Sequence, residues 1–183
     1  MGVLSFSELA MHMVTEELTQ EAARGFVLGQ IREAIETELE GELPSFVTVE
    51  RDGQGDIQAI RTHTEELNAL RVRVLERLEE RLNGNVTVTI PVGSLTGVAL
   101  FNGRGFPVPL KLRLESSADL DFSTEFTSAG INQSCHRITM TVRVQAYSHS
   151  QQFPVHVAET SSTVLAETVL VGTVPETAVV KTG

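Results

Sequence analysis

From Val86 onward the apolar residues recur at every second position. Val86, Val88 and Ile90 alternate with polar neighbours, as do Val108, Leu110, Leu112 and Leu114, then Leu120, Phe122 and Phe126. Ile138, Met140, Val142, Val144 and Ala146 mark a longer strand, followed by Phe153, Val155 and Val157 and a last segment from Val164 to Val171. A period of two places successive side chains on opposite faces, so each segment has one apolar and one polar face. That is the pattern of largely antiparallel strands with one covered side.

The N-terminal half has a different period. Ser5 and Glu8 fit a capping box, and Met11, Val14, Leu18 and Ala22, then Val27, Ile31, Ile35 and Leu39, approximate a helical stripe. Gly25 and Gly29 weaken a helix interior by about 1 kcal/mol each, which predicts a bend or break there. Gly41 and Pro44 end the element. A β-hairpin is expected over 46–61, turning at Asp52-Gly53-Gln54-Gly55-Asp56. Thr62 and Glu65 fit a second capping box; Leu67, Leu70, Val74, Leu78 and Leu82 form a clean stripe, closed by Asn83-Gly84. Arg71, Arg73, Arg77 and Arg81 lie off that stripe and read as a solvated face, with local pairs such as Arg73–Glu76 and Arg77–Glu80. The expected fold is α+β: an α-β-β-α-β unit followed by a β meander, in a single domain over 1–183. Its parts are an acidic helical segment (1–40), a hairpin, helix and strand (45–90) and a β-rich part (91–178).

Composition narrows the function. A chain of 183 residues and 19.9 kDa has room for a sizeable core. Fourteen basic against 24 acidic residues give a net charge of −10, and with no Trp and one Tyr this argues against nucleic acid as a partner. Residues 1–50 hold ten acidic and two basic residues, so the first segment repels anionic surfaces. One cysteine, Cys135, rules out an internal disulfide framework and any cysteine-built metal site within one copy. No apolar run approaches the ~18–20 residues that span a bilayer, and no secretory signal is present as written.

The best candidate for chemistry is Asp119, Asp121, Glu125, Cys135, His136 and Arg137. If 127–134 is a loop, Glu125 faces Cys135, Asp121 faces Thr139, and Arg137 lies diagonally between the two carboxylates. Such a cluster is either an acid/base or metal site or an ion network that holds strand register. The second reading is favoured, because an arginine lowers carboxylate pKa values and spoils them as general acids. Cys135 and His136 are adjacent on a strand and should point to opposite faces, so they make a poor nucleophile pair. His149 and His156 flank a turn but lack an obvious third metal ligand. The loop 91–107, with Gly93, Gly97, Gly103, Gly105 and Arg104, opens no helix and so is not a phosphate cradle. Its length hints at an interaction surface, with an apolar groove expected beside Phe101 and Phe106. No catalytic, cofactor or metal set emerges.

Three runs resemble the sporulation protein YunB family of endospore-forming bacteria. The first is Ile90-Pro91-Val92-Gly93-Ser94-Leu95-Thr96-Gly97. The second runs from Asp121-Phe122 through Glu125-Phe126 and Ser128-Ala129-Gly130-Ile131-Asn132-Gln133 to His136-Arg137-Ile138. The third extends from Ala166 to Thr177. The resemblance covers about Gln20 to Thr177. Cys135 replaces a basic residue usual in the family, and Thr139 and Ala178 replace aromatics.

The resemblance implies a role in endospore formation for a protein made in the mother cell. It carries over no catalytic residue. Leu95, Thr96, Gly97, Asp121, Glu125, Gly130, Asn132, Gln133, His136 and Arg137 are therefore read as an interaction or structural motif. Family members usually begin with a transmembrane tether, which this chain does not show. The expected place is the extracytoplasmic face of the mother-cell membrane, and the expected partners are other sporulation envelope proteins or further copies of the chain. The α-β-β-α-β order is also similar to ring-building domains, a fold-level analogy. The alternative is a hydrolase of the cell wall or spore envelope acting through Asp121, Glu125 and His136; a third option is a ligand or peptide module at the 91–107 loop.

Overall fold

The computed structural model describes residues 2–41, 44–96, 98–130, 133–148 and 154–171, with side chains from Thr15 onward. The order is α1 (Gly2–Leu39), β1 (Val47–Arg51), β2 (Ile57–Thr62), α2 (Thr64–Leu82), β3 (Gly84–Pro91), two short 3-10 turns (Ser94–Thr96 and Ala99–Phe101), β4 (Pro107–Gly130), β5 (Gln133–Ser148) and β6 (Val155–Val171). β1 and β2 form a two-stranded sheet; the other four lie in the order β3-β4-β5-β6. The fold is α+β, with helix, hairpin, helix and strand followed by an antiparallel meander. Because β3 joins the meander sheet, the ring-building analogy rests on element order alone.

The chain divides into two compact units. The first comprises Met1–Gly41, Val72–Leu120 and Val142–Ser161; the second comprises Glu42–Arg71, Asp121–Thr141 and Ser162–Gly183.

In the first unit α1 packs against β3 and the turn Ser94–Thr96. Thr19, Ala23, Val27, Ile31, Ala34 and Ile35 are its buried residues. This corrects the expected stripe. Leu18 and Ala22 are only half-buried and their C-terminal neighbours take the interior, because α1 continues unbroken through Gly25 and Gly29 and steps back by four from Val27. The Thr19 hydroxyl is satisfied inside the helix, donating to the Thr15 carbonyl at 2.7 Å. Nor does Ser5 start the helix, which already runs from Gly2. Val74, Leu78 and Leu82 of α2, Val86, Val88 and Ile90 of β3, and the inward positions of β4 to β6 complete this core.

The arginines of α2 are not merely a solvated face. Arg73 Nε donates to Glu38 Oε2 at 2.9 Å and Arg77 Nε to Glu38 Oε1 at 2.9 Å. Arg81 meets Glu33 at 2.6 Å and Gln30 at 3.2 Å. The expected pairs within α2 yield to these because carboxylates of α1 lie within reach of the same guanidinium groups. The Glu38 side chain is 10% exposed. The Arg77 hydrogen bond holds its carboxyl below the ordinary value of 4.5, against an opposing push from burial and with further help from Arg73. At its end α2 is closed by Gly84 at φ +101°, while Asn83 Oδ1 accepts from the Ser116 N–H at 2.7 Å.

In the second unit β1 and β2 pair antiparallel, Val47 opposite Thr62 and Val49 opposite Ile60, with a bulge between Glu50 and Arg51. The turn forms because Asp52 Oδ1 accepts from the N–H groups of Gln54 and Asp56, each at 2.9 Å. Thr62 ends β2 and does not cap α2. The His63 carbonyl accepts the first helical bond, from the Leu67 N–H at 3.2 Å, so His63 is the cap. Phe46, Leu67, Leu70, Ile138 and Met140 are buried in this unit.

Candidate functional site

The carboxylates singled out by the sequence lie at exposed odd positions of β4, as alternation predicts. They do not converge around Arg137. Arg137 instead reaches β6, where Nη2 lies 2.7 Å and Nε 2.8 Å from Glu167 Oε2. Glu167 is the main influence raising the Arg137 pKa above the ordinary arginine value, and Glu125 contributes least. Asp121 pairs with Arg71 of α2 at 3.2 Å. Asp119 meets Arg143 of β5 at 3.2 Å, and the Tyr147 hydroxyl donates to Glu115 at 3.1 Å.

The contacts Glu115–Tyr147, Asp119–Arg143 and Phe126–His136 share one strand register. It differs by two residues from the expected one, because β4 runs on to Gly130 and β5 already starts at Gln133. The longer hairpin moves every cross-strand partner. Arg137 then has Glu167 on its other neighbour, a partner thirty residues away in the chain that no local pattern announces.

Cys135 and His136 also differ from expectation. They sit at opposite parities, yet both are buried. His136 is 1% exposed, its ring centroid lies 4.6 Å from that of Phe126, and its Nδ1 has no hydrogen-bond partner among the described residues. His136 therefore lies on the even face, away from Asp121 and Glu125. Gly130 ends β4, and Gln133 begins β5 exposed. Gly97, Asn132 and His149 lie outside the described residues. His156 is engaged through its backbone, its N–H donating to Gln20 Oε1 at 3.1 Å and its carbonyl accepting from Gln20 Nε2. Among the described residues no three His, Cys, Asp or Glu side chains are grouped to hold a metal ion.

The 92–106 loop of the first unit is folded from within. The Val92 N–H donates to the Phe106 carbonyl at 3.0 Å, and the Gly93 N–H to the Arg104 carbonyl at 2.9 Å. Leu95 and Thr96 form its first 3-10 turn, and the Thr96 hydroxyl donates to the Gly93 carbonyl at 2.7 Å. A Cβ on Gly93 would lie 2.1 Å from the Phe101 carbonyl oxygen, so only glycine fits there. The expected apolar groove beside Phe101 and Phe106 is not formed by these two rings, which both face outward. A cleft of about 620 Å³ lies instead on the β3–β4 face, lined in part by Asn85, Thr87, Lys111, Arg113 and Glu115. Sequence reasoning missed these cations. Their signal was legible: from Arg81 to Leu114 the chain holds four basic residues and no acidic one.

No described helix is long and apolar enough to cross a membrane. No solved structure matches the chain. Over 106 residues it is 24% identical to sporulation protein YunB of Bacillus subtilis (strain 168), a match covering 51% of this chain and 42% of that relative. The match thus spans less than half the length of the curated relative. Residues 87–177, which include β4, β5, β6 and the folded loop, match the family described as Sporulation protein YunB. On these two matches, the C-terminal half of the chain is similar to the YunB family of sporulation proteins.

Proposed function

We propose that this protein serves sporulation without catalysis, as an assembly or interaction domain on the extracytoplasmic face of the mother-cell membrane. Its partners in this reading are envelope proteins of the developing spore or further copies of the chain. The observation that carries it is that the candidate side chains are not gathered in one place. Asp121 is matched by Arg71, and Arg137 is turned to Glu167, on exposed strand positions.

A hydrolase acting on the cell wall or spore envelope would need Asp121, Glu125 and His136 in one cleft at defined separation. The exposed odd positions of the two acids and the buried even position of His136 favour the interaction reading. The test combines sedimentation velocity over a concentration series with crosslinked capture of the tagged chain from sporulating cells. Self-association, or a reproducible envelope partner whose capture survives Asp121→Asn and Glu125→Gln, is expected. A strict monomer that captures nothing, together with turnover of purified cell wall that those substitutions abolish, would contradict it.

A further inference from the structure

The 92–106 loop reverses the usual arrangement of a surface loop. Its polar groups are satisfied internally, with the Ser94 hydroxyl donating to Asn102 Oδ1 at 2.8 Å and accepting from the Gly103 N–H at 2.9 Å. Its outer side carries the large apolar side chains: Leu100 and Phe106 are 67% and 68% exposed, and Val98 and Phe101 about half exposed. Exposed apolar side chains grouped on one ordered loop mark a contact site.

The charge around this tip is also unusual. Eight arginines are held in ion pairs. Of the described cations without an ion-pair partner, Arg32 and Arg51 stand alone on α1 and β1, whereas the exposed Arg104, Lys111 and Arg113 follow one another in the tip and the strand behind it. Arg104 lies in the tip itself. Lys111 and Arg113 follow on one face of β4, opposite Thr87 and Asn85. At about 3.3 Å per residue they lie roughly 13 and 20 Å behind Pro107 along the strand. An apolar tip backed by unpaired cations, in a segment free of acids from Arg81 to Leu114, is complementary to an anionic lipid surface in an approach led by the tip, which keeps Glu115 and the acidic α1 at the base of the loop away from the lipid.

We propose that the tip from Val98 to Phe106 inserts peripherally into an anionic bilayer, Leu100 and Phe106 entering the acyl boundary while Arg104, Lys111 and Arg113 face lipid phosphates. A second copy of the chain is the less suitable occupant. Four projecting side chains need an apolar receptacle free of charge, and the cleft on the β3–β4 face, although Val86 and Leu112 line it, also carries Lys111, Arg113 and Glu115. The inference goes beyond the reading of function above and does not depend on it.

The chain has no Trp, so Phe106→Trp places a single reporter at the tip. The full chain carrying it is mixed with phosphatidylglycerol/phosphatidylcholine vesicles or with pure phosphatidylcholine vesicles, at low and high salt. The expected result is cosedimentation with the anionic vesicles, a blue shift of the Trp emission, and loss of both on raising the salt. In the chain without the reporter, Leu100→Ser with Phe106→Ser should weaken vesicle binding about tenfold or more, since less apolar surface is inserted. Arg104→Glu with Lys111→Glu should weaken binding comparably and flatten its salt dependence. All four positions are exposed, and thermal melting checks that the variants remain folded. No binding to anionic vesicles at low salt, or binding undiminished by the serine variant, overturns the proposal. So does a wild-type dimer that the serine variant converts to monomer while vesicles remain unbound, which assigns the tip to a second copy.

Discussion

In the first unit Leu112, Leu114 and Leu120 of β4 and Val142, Val144 and Ala146 of β5 are buried. In the second unit Phe126, at the same parity of β4, is 62% exposed, and Val164, Val169 and Val171 of β6 stand about half in water. The alternation of β4 and β5 runs through both and also buries Ile138 and Met140 in the second unit, whereas Val164-Leu165 and Val169-Leu170-Val171 of β6 do not alternate. A period of two assigns a side chain to a face, and burial also requires something to cover that face. A fully buried leucine contributes about 1.5–3 kcal/mol through removal from water; Phe126 keeps most of its surface wet and contributes far less.

The largest expected effect separates the two regions directly. Leu114→Ala leaves a cavity in the first unit and should destabilise the protein by about 2–5 kcal/mol in urea titrations followed by circular dichroism. Phe126→Ala should cost less, about 1 kcal/mol by the same measurement, because the 62% exposed ring loses mainly its contact with His136. Equal losses would break the comparison.

Gly93→Ala should destabilise by about 1–3 kcal/mol, because the new Cβ meets the backbone oxygens of Phe101 and Arg104 at 2.1 and 2.6 Å. Amide hydrogen exchange should show the loop losing protection while the second unit keeps its own.

Glu38→Gln should remove about 1–2 kcal/mol, since charge-assisted hydrogen bonds from Arg73 and Arg77 are lost and both arginines retain access to water. The pH dependence has a definite sign. The folded pKa of Glu38 lies below its ordinary value of 4.5, so near that pH the unfolded chain binds the proton more readily. Its contribution is complete above about 4.5 and is lost as pH falls through the lower folded value. Melting curves across this acid range should converge for wild type and variant.

The smallest of these effects has the opposite direction. Gly25 is exposed within α1 and has no atom near an added Cβ, so Gly25→Ala should stabilise by about 0.5–1 kcal/mol, read as a raised melting temperature.

Much of the fold was legible where short-range physics decides. The alternation located the strands, Asp52 and Gly55 located the hairpin turn, and the leucine spacing located α2 with its Asn83-Gly84 close. The errors share a cause: they required knowing which distant group is present. Thr62 matches a cap locally, but pairing with Val47 draws it into β2. Leu18 and Ala22 fit a stripe interrupted at the glycines, whereas a continuous α1 turns Thr19 and Ala23 inward. Arg73 and Arg77 have acidic neighbours within α2, yet Glu38 lies closer to hand from another helix.

The same holds for the candidate site. Alternation placed Asp121, Glu125 and Arg137 on exposed faces. Partner choice depended on a register that differs by two residues once β4 runs to Gly130 and β5 starts at Gln133. Glu167, the partner of Arg137, belongs to a strand later in the chain and carries no local signal. The apolar tip at Leu100 and Phe106 was visible as a long loop; the outward direction of its side chains was not, because that follows from hydrogen bonds closing the loop beneath them.

The measurement closest to the central claim places Asp121→Asn and Glu125→Gln together in the spore-forming host's own copy of this protein and counts heat-resistant spores per viable cell. If these carboxylates only brace strand surfaces, the count matches wild type and the purified variant melts close to it. A severe loss of resistant spores, with melting, protein level and capture of envelope partners unchanged, would contradict this account and point to chemistry at the carboxylates.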